Sequence, residues 1–357
     1  VNTPQSDRIP SNGPGTGPTP VPDRSALLSI RHLRVEAVPP RAWSGKNLPP
    51  QALVDDFHID MREREVVAVV GDAESGRDAL ARALAGLETL KFGSVRYRGE
   101  EVALGQEQPA TKIARKPINT LAAIAGITLI APQPFARLPK KQRQLSAVAW
   151  LSEALAAVMP KESEEGRNHQ LSRLLGRVGL IAADLHHPLH QYDSDVAARL
   201  CLARSLLTPL RLLICDEPVS EYDAAPFAAL VKSLQAELGF ALIYCTPNIE
   251  LVRGFAPRVL SLYRGRVIET APAKDFFERP RHPYLRIRLG DAALIEAIGQ
   301  REPQEPAPVG PTMGCNFHPN CPLADPMCVR AVPSLRKVGK DHYAACHFVA
   351  AEVDRFG

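Results

Sequence analysis

What the chain lacks narrows it first. Nowhere in its 357 residues is there an apolar run near the roughly 20 positions that a membrane-crossing helix needs, so a soluble or peripheral protein is expected. The N-terminus has no charged segment followed by an apolar one, so no export signal is read and the expected compartment is cytoplasmic. A charge bias is missing as well: 43 basic against 39 acidic side chains leave +4, and the basic residues are dispersed. That argues against a dedicated nucleic-acid binder. Cysteine is odd in number, seven in all, with four bunched near the C-terminus. This usage speaks against a disulfide scaffold and for a metal site.

What is present supports a folded protein. Apolar residues make up 45%, and 357 positions suit one large domain with an appendage, or two domains. Residues 1–25, rich in Pro, Gly, Ser and Thr with almost nothing to bury, are expected to be disordered. Leu27 to Val35 alternates as a half-buried strand. Glu36 to Gln51, with four prolines and Trp43, reads as an irregular loop.

The rest is organised around Arg211 to Asp223. Leu212, Leu213, Ile214 and Cys215 form a short apolar run, the pattern of a strand buried on both faces of a parallel sheet. Asp216 and Glu217 follow at its C-terminal end, where open α/β sheets bind ligands, and Pro218 stops the strand. An acidic pair there suits bound Mg²⁺: Asp216 would hold the metal shell and Glu217 would polarise a water. Upstream, the apolar strand Val66 to Val70 runs into Gly71 and Gly76, which frame a G-x-x-x-x-G loop before a helix, Ala79 to Leu87. That is the setting of a phosphate-binding loop. Its chemistry is altered. Arg77 stands in place of the lysine that reaches the β/γ-phosphates, and Asp78 in place of the hydroxyl that ligates Mg²⁺.

The run at Asp216 resembles the Walker B motif and D-loop of ATP-binding-cassette (ABC) ATPases, with Asp223 at the D-loop aspartate. The resemblance implies an α/β fold, an ABC-type nucleotide-binding domain with a P-loop core and a helical subdomain, here at about 135–205. It implies an adenine-stacking aromatic near the N-terminus, for which Trp43 is a candidate; covering a sheet edge is the alternative for that ring. Against the family pattern, Glu74 replaces a further glycine. A carboxylate about 4 Å from a phosphate oxygen costs roughly 1 kcal/mol in water-like surroundings and about 4 at an intermediate dielectric. Glu74 or Asp78 is therefore expected to fill the phosphate seat itself. The glutamine of the Q-loop falls on Pro132, with Gln133 one residue late. The basic residues Arg137, Lys140, Lys141 and Arg143 read as a solvated loop, with contact to a membrane partner as the alternative. The signature that closes on the partner subunit's γ-phosphate falls on Tyr192, Asp193, Ser194 and Asp195, where Asp193 is a good helix N-cap but a doubly acidic cap does not suit a triphosphate. The switch histidine is Pro247.

The tail narrows the resemblance. Pro280-Arg281-His282-Pro283-Tyr284, and the C-x5-C-x6-C-x17-C spacing of Cys315, Cys321, Cys328 and Cys346, resemble the ATP-binding subunits of oligopeptide and dipeptide ABC importers. By spacing alone the four thiols suit zinc or an iron–sulfur cluster; the resemblance implies a [4Fe–4S] cluster. Cys201, Cys215 and Cys245 read as inert core thiols, and His318 and His347 as neighbours rather than ligands. The expected organisation is a nucleotide-binding domain at 26–270 and a cysteine-rich C-terminal extension at 271–357. The expected protein is a peptide-importer ATPase subunit, degenerate at its own site, on the cytoplasmic face of the membrane. It would pair with a second ABC ATPase beneath two permeases fed by a substrate-binding protein, with ATP and Mg²⁺ in the partner. The alternatives are a non-hydrolysing regulatory subunit with an iron–sulfur sensor, and a working ATPase that tolerates Arg77 and Asp78.

Overall fold

The structure, a computed structural model, describes residues 26–37, 51–87, 90–102, 126–300 and 313–349. The expectations for residues 1–25 and for Trp43 lie outside these residues. The chain opens with β1 (Leu28–Ala37) and β2 (Gln51–Met61), then the buried strand β3 (Val66–Val70) and helix α1 (Arg77–Leu84). After β4 (Leu90–Tyr97), β5 (Glu100–Val102) and β6 (Ile127–Ile130) comes a helical stretch: α2 (Lys140–Arg143), α3 (Ala147–Val158), α4 (Glu164–Arg177) and α5 (Ser194–Ser205). Then follow β7 (Leu212–Asp216), α6 (Glu221–Leu238), β8 (Ala241–Thr246), β9 (Arg258–Tyr263) and β10 (Arg266–Pro272). The last elements are α7 (Ala273–Glu278), α8 (Pro283–Arg288), α9 (Ala292–Gly299), α10 (Pro326–Arg330), β11 (Arg336–Gly339) and β12 (His342–Ala344).

Two sheets form among the described residues. One is antiparallel, in the order β2-β1-β4-β5; the other runs β11-β12-β10-β9-β3-β8-β7-β6. In the larger sheet β6, β7, β8, β3 and β9 are mutually parallel, and β10, β12 and β11 add to its edge antiparallel. Every residue of β3, β7 and β8 is buried, as strands covered on both faces require. Val66, Ala68 and Val70 enter the core shared with the helices, whereas Val67 and Val69 enter the core shared with α1 and the antiparallel sheet. Side-chain caps start the helices: Ser146, Ser163, Asp193 and Asp291 accept from backbone amides three residues on.

The C-terminal elements are tied to the large sheet by a fully buried carboxylate. Glu269 in β10 accepts from the Arg281 amide (3.0 Å), the His282 amide (2.7 Å) and His342 Nε2 (2.7 Å). His282 in turn caps α8, its Nδ1 accepting from the Tyr284 amide at 3.2 Å, and burial pushes its ring down to about 3, so it stays neutral. The Pro280–Tyr284 run is thus a turn wrapped around Glu269.

Candidate functional site

The C-terminal ends of three adjacent strands build the site. Val70 of β3 pairs with Thr246 of β8, and Cys245 of β8 with Asp216 of β7. The phosphate-type loop, the acidic pair and the Thr246–Asn248 turn therefore meet along one edge. Within the loop Ser75 Oγ and its amide both reach the Asp72 carbonyl, at 2.7 and 3.1 Å. Two glycines are required for close approach. A Cβ on Gly71 would lie 2.4 Å from Ser75 Oγ, and one on Gly76, whose φ is +88°, would lie 2.1 Å from the Leu53 carbonyl. β2 thus supports the loop from beneath.

The functional side chains meet one another rather than an open seat. Arg77 Nη2 donates to Glu217 Oε2 at 2.9 Å, with the guanidinium nearly buried. Glu217 sits at φ +40° and its amide donates to the Cys245 carbonyl at 3.0 Å, which fixes the carboxylate toward α1. Arg77 Nε and Nη1, and Asp216 Oδ1, are buried with no hydrogen-bond partner among the described residues. Burial pushes the Asp216 carboxyl up to about 6; Arg77 opposes the shift, and Asp78 and Glu217 add to it. Folding thus favours the protonated acid. The unfolded carboxyl releases its proton near 3.8 and the folded one near 6, so this group's contribution to stability falls as pH rises between them and stays reduced above 6. Asp216→Asn should therefore stabilise the nucleotide-free protein at pH 7.5 by up to about 3 kcal/mol, since each tenfold change in proton affinity is worth about 1.4 kcal/mol. Near pH 4 the gain should vanish, and denaturant titrations giving equal gains at both values would refute the assignment.

Two sequence expectations are corrected here. Glu74 does not fill the phosphate seat, because it is drawn outward into an ion pair with Arg264 of the β9–β10 turn. Asp78 does not fill it either: it is exposed in the first turn of α1, and the carboxylate opposite Arg77 is Glu217. The signature-like cap is also less acidic than its sequence suggests. Asp193 Oδ1 accepts from the Val196 amide at 2.9 Å, but Asp195 turns back along α5 to Arg199, at 2.7 Å. Ser194 Oγ accepts from the Ser220 amide at 3.2 Å, and Tyr192 Oη from the His187 amide at 3.1 Å. Beside them Ser220 Oγ donates to Asp223 at 2.6 Å, holding the start of α6, with Tyr222 almost wholly exposed between. Pro132 and Gln133 are exposed, Gln133 at φ +48°.

Residues outside the nucleotide motifs complete the site. Tyr284 Oη donates to Asp72 Oδ2 at 3.0 Å, and Arg288 Nη2 to the Pro247 carbonyl at 3.2 Å. The Tyr284 ring packs on Tyr263 and Phe317, within a small core that includes Cys321 and, at its margin, Cys315. Cys321, Cys328 and Cys346 are buried and Cys315 is partly so, with its amide donating to the Cys328 carbonyl at 2.8 Å. The Pro280–Tyr284 run was the sequence's only pointer to this support.

Residues 54–220 match the ABC transporter family, and residues 268–328 match the C-terminal region of the oligopeptide/dipeptide transporter family. The oligopeptide transport ATP-binding protein OppF of Escherichia coli is 29% identical over 326 residues, covering 87% of this chain and 93% of that protein. The di/tripeptide transport ATP-binding protein DppF of Pseudomonas aeruginosa is 29% identical over 300 residues, 81% of this chain and 87% of its own. Among solved structures, cbiO1 of Clostridium perfringens, part of an ABC transporter complex, aligns with a TM-score of 0.54 at 21% identity over 75% of this chain and 97% of that one. A dimeric ATP-binding cassette bound to ADP and Pi aligns at 0.53 and 17% identity, over 69% and 99%; at such identities these likenesses speak to the fold alone. Strand order, phosphate-type loop, acidic strand end and tail thus agree with the sequence matches: the chain is a homologue of oligopeptide and di/tripeptide transport ATP-binding proteins, with an ABC transporter region followed by the C-terminal region of oligopeptide/dipeptide transporters.

Proposed function

We propose that this chain is the nucleotide-binding subunit of an ABC importer for peptides and the catalytically degenerate half of an ATPase heterodimer. The observation that carries the reading is the Arg77–Glu217 ion pair at 2.9 Å. A carboxylate that polarises water for attack must face a clamped γ-phosphate; here it is the counter-ion of the loop's own cation. Gly71, Gly76, Arg77, Asp78 and Asp216 keep the frame of a nucleotide site, and the unused donors of Arg77 leave it able to hold an anion. Pro247 offers no imidazole to a γ-phosphate, and its carbonyl is taken by Arg288. Hydrolysis then falls to the partner ATPase, which holds ATP and Mg²⁺, while this chain supplies Tyr192, Asp193, Ser194 and Asp195 across the interface and Asp223 beside it. Two permeases and a substrate-binding protein complete the importer, with both ATPases on the cytoplasmic face of the membrane. Among the described residues no helix is long and apolar enough to cross it. ATPase turnover of the assembled complex carrying Glu217→Gln tests the reading.

The cofactor belongs to the same proposal: a [4Fe–4S] cluster on Cys315, Cys321, Cys328 and Cys346. Cys321 lies within electrostatic reach of the other three sulfurs. Among the described residues, no three of these sulfurs lie within 4.8 Å of one another. Backbone amides already point at the sulfurs: those of Phe317 and His318 at Cys315, Leu323 at Cys321, and Phe348 and Val349 at Cys346. Burial pushes the Cys315 and Cys321 thiols up to about 11 and about 12, so deprotonation requires the charge of a bound metal group. His318 and His347 spend a ring nitrogen on the carbonyls of Cys315 and Ala331, which suits supports rather than ligands. Purified without air, the protein should be brown and carry iron and sulfide in equal amounts, about four of each. Cys321→Ser should lose colour and stability together; a colourless, zinc-bearing wild type would overturn the assignment.

A further inference from the structure

The antiparallel sheet carries a second group of metal-type ligands, which the nucleotide chemistry does not use. Its origin is a pair of facing irregularities in β1 and β2. Ile30 pairs with Ile59 and Leu33 with Phe57, so β1 fits Arg31 and His32 opposite His58 alone. Two residues further, Val35 pairs with Val54, so β2 fits Asp55 and Asp56 opposite Arg34 alone. Each strand therefore bulges once, on either side of the Leu33–Phe57 pair. The extra residues, His32 and Asp56, take left-handed φ values of 51° and 57°. Bulges re-aim side chains, and His and Asp are among the few non-glycine residues that tolerate this region. On the far side Gly93 of β4 makes room, since a Cβ there would lie 2.8 Å from the His32 carbonyl.

The result is convergence on one atom. His32 Nδ1 lies 2.8 Å and His58 Nε2 2.9 Å from the same oxygen, Asp56 Oδ1, and the three ligand atoms all fall within 4.8 Å of one another. The rings stand edge to face at 4.4 Å. The hydrogen bond from His58, with that from His32, holds the Asp56 carboxyl down to about 2 against the opposing effect of burial. Arg31 and Arg34, the neighbouring cations, are engaged elsewhere, with Asp60 and with Glu36 and Asp55, so none competes for the trio.

We propose that His32, Asp56 and His58 form a binding site for a divalent transition-metal cation of the zinc and copper class. Two imidazoles and one carboxylate select such ions over Mg²⁺ and Ca²⁺, which require oxygen ligands. Bonds of about 2.0–2.2 Å place ligand atoms roughly 3.3–3.5 Å apart, so the trio opens by about half an ångström to admit the ion. Each ring then carries its proton on the far nitrogen. For His58 this gives up the 3.4 Å bond from the His32 amide, a weak one. His32 and Asp56 are about half exposed, which leaves the remaining positions to water or to an anion. The bound ion links β1 to β2 three and five residues from Leu53, the residue of β2 that supports Gly76.

The test uses the full chain with its cysteine site loaded, washed with chelator and titrated with Cu²⁺, whose affinity for such ligands is highest in the series. Paramagnetic resonance of the first equivalent should show hyperfine splitting from two imidazole nitrogens. His32→Gln and His58→Gln, on different strands, should each weaken that binding by about 100-fold or more, since even an outer partner of a ligand is worth 10–100-fold. A large excess of Zn²⁺ should compete with the copper, and the same excess of Mg²⁺ should not. Sulfur ligation alone in the wild type would overturn the site without needing any variant. Binding that survives in both folded variants would mean adventitious surface histidines, and would overturn it too.

Discussion

Glu217→Gln in this chain should leave ATPase turnover of the assembled transporter within a few-fold of the unmutated complex, whereas the matching change in the partner ATPase should stop it. By motif alone Glu217 is intact and its loss should be disabling, since catalytic acids and bases typically contribute factors of about 10²–10⁴. Its surroundings argue the reverse. Its carboxylate is spent on Arg77 at 2.9 Å, a charge-assisted contact of the stronger kind. Glutamine can still accept from Arg77, so the variant should fold as the wild type does. Turnover of the complex with either subunit altered, under one set of conditions, decides the matter. A stop on Glu217→Gln alone would make this the hydrolytic site.

Glu269→Ala should cost about 3–5 kcal/mol in denaturant unfolding, because several buried donors lose their acceptor at once. Glu269 is fully buried, and its oxygens serve His342 and the amides of Arg281 and His282. Alanine would leave those donors without their acceptor, at about 1–3 kcal/mol for each one that water cannot reach. Glutamine, which keeps one acceptor oxygen, should cost less. Because His282 caps the helix bearing Tyr284, the alanine variant should also loosen the Tyr284–Asp72 contact and speed amide exchange in the loop at Asp72. A loss below about 1 kcal/mol would mean that β10 and β12 hold together without this carboxylate.

How legible the molecule was depended on whether a pattern was local. Val66 to Val70 stands in the structure with the bounds that its apolar run suggests, and the run from Leu212 extends one residue to include Asp216. Asp193 could be read as a cap because capping is settled within three residues. β2 could not be read. Its buried apolar residues run Ala52, Val54, then Phe57, Ile59, Met61, and the bulge at Asp55–Asp56 shifts the two-residue period by one, so the segment looks merely acidic. The site was half legible. The loop, the acidic pair and the signature-like cap announced themselves, but the partners of Glu74, Asp72 and Arg77 lie 190, 212 and 140 residues away. No local spacing encodes such pairings, and the Glu74–Arg264 ion pair is therefore invisible to the sequence.

The 212 residues between Asp72 and Tyr284 also set a clock. A ribosome adding about 5–20 residues per second exposes the phosphate-type loop roughly 10–40 s before the hydroxyl that steadies it. Throughout that interval the nascent chain has a β3 with no β8 or β9 beside it and a loop whose acidic residues have yet to meet their partners. The loop is therefore among the last parts of the site to mature, and a pairing of the kind proposed would have to follow the synthesis of Tyr284 rather than accompany that of β3.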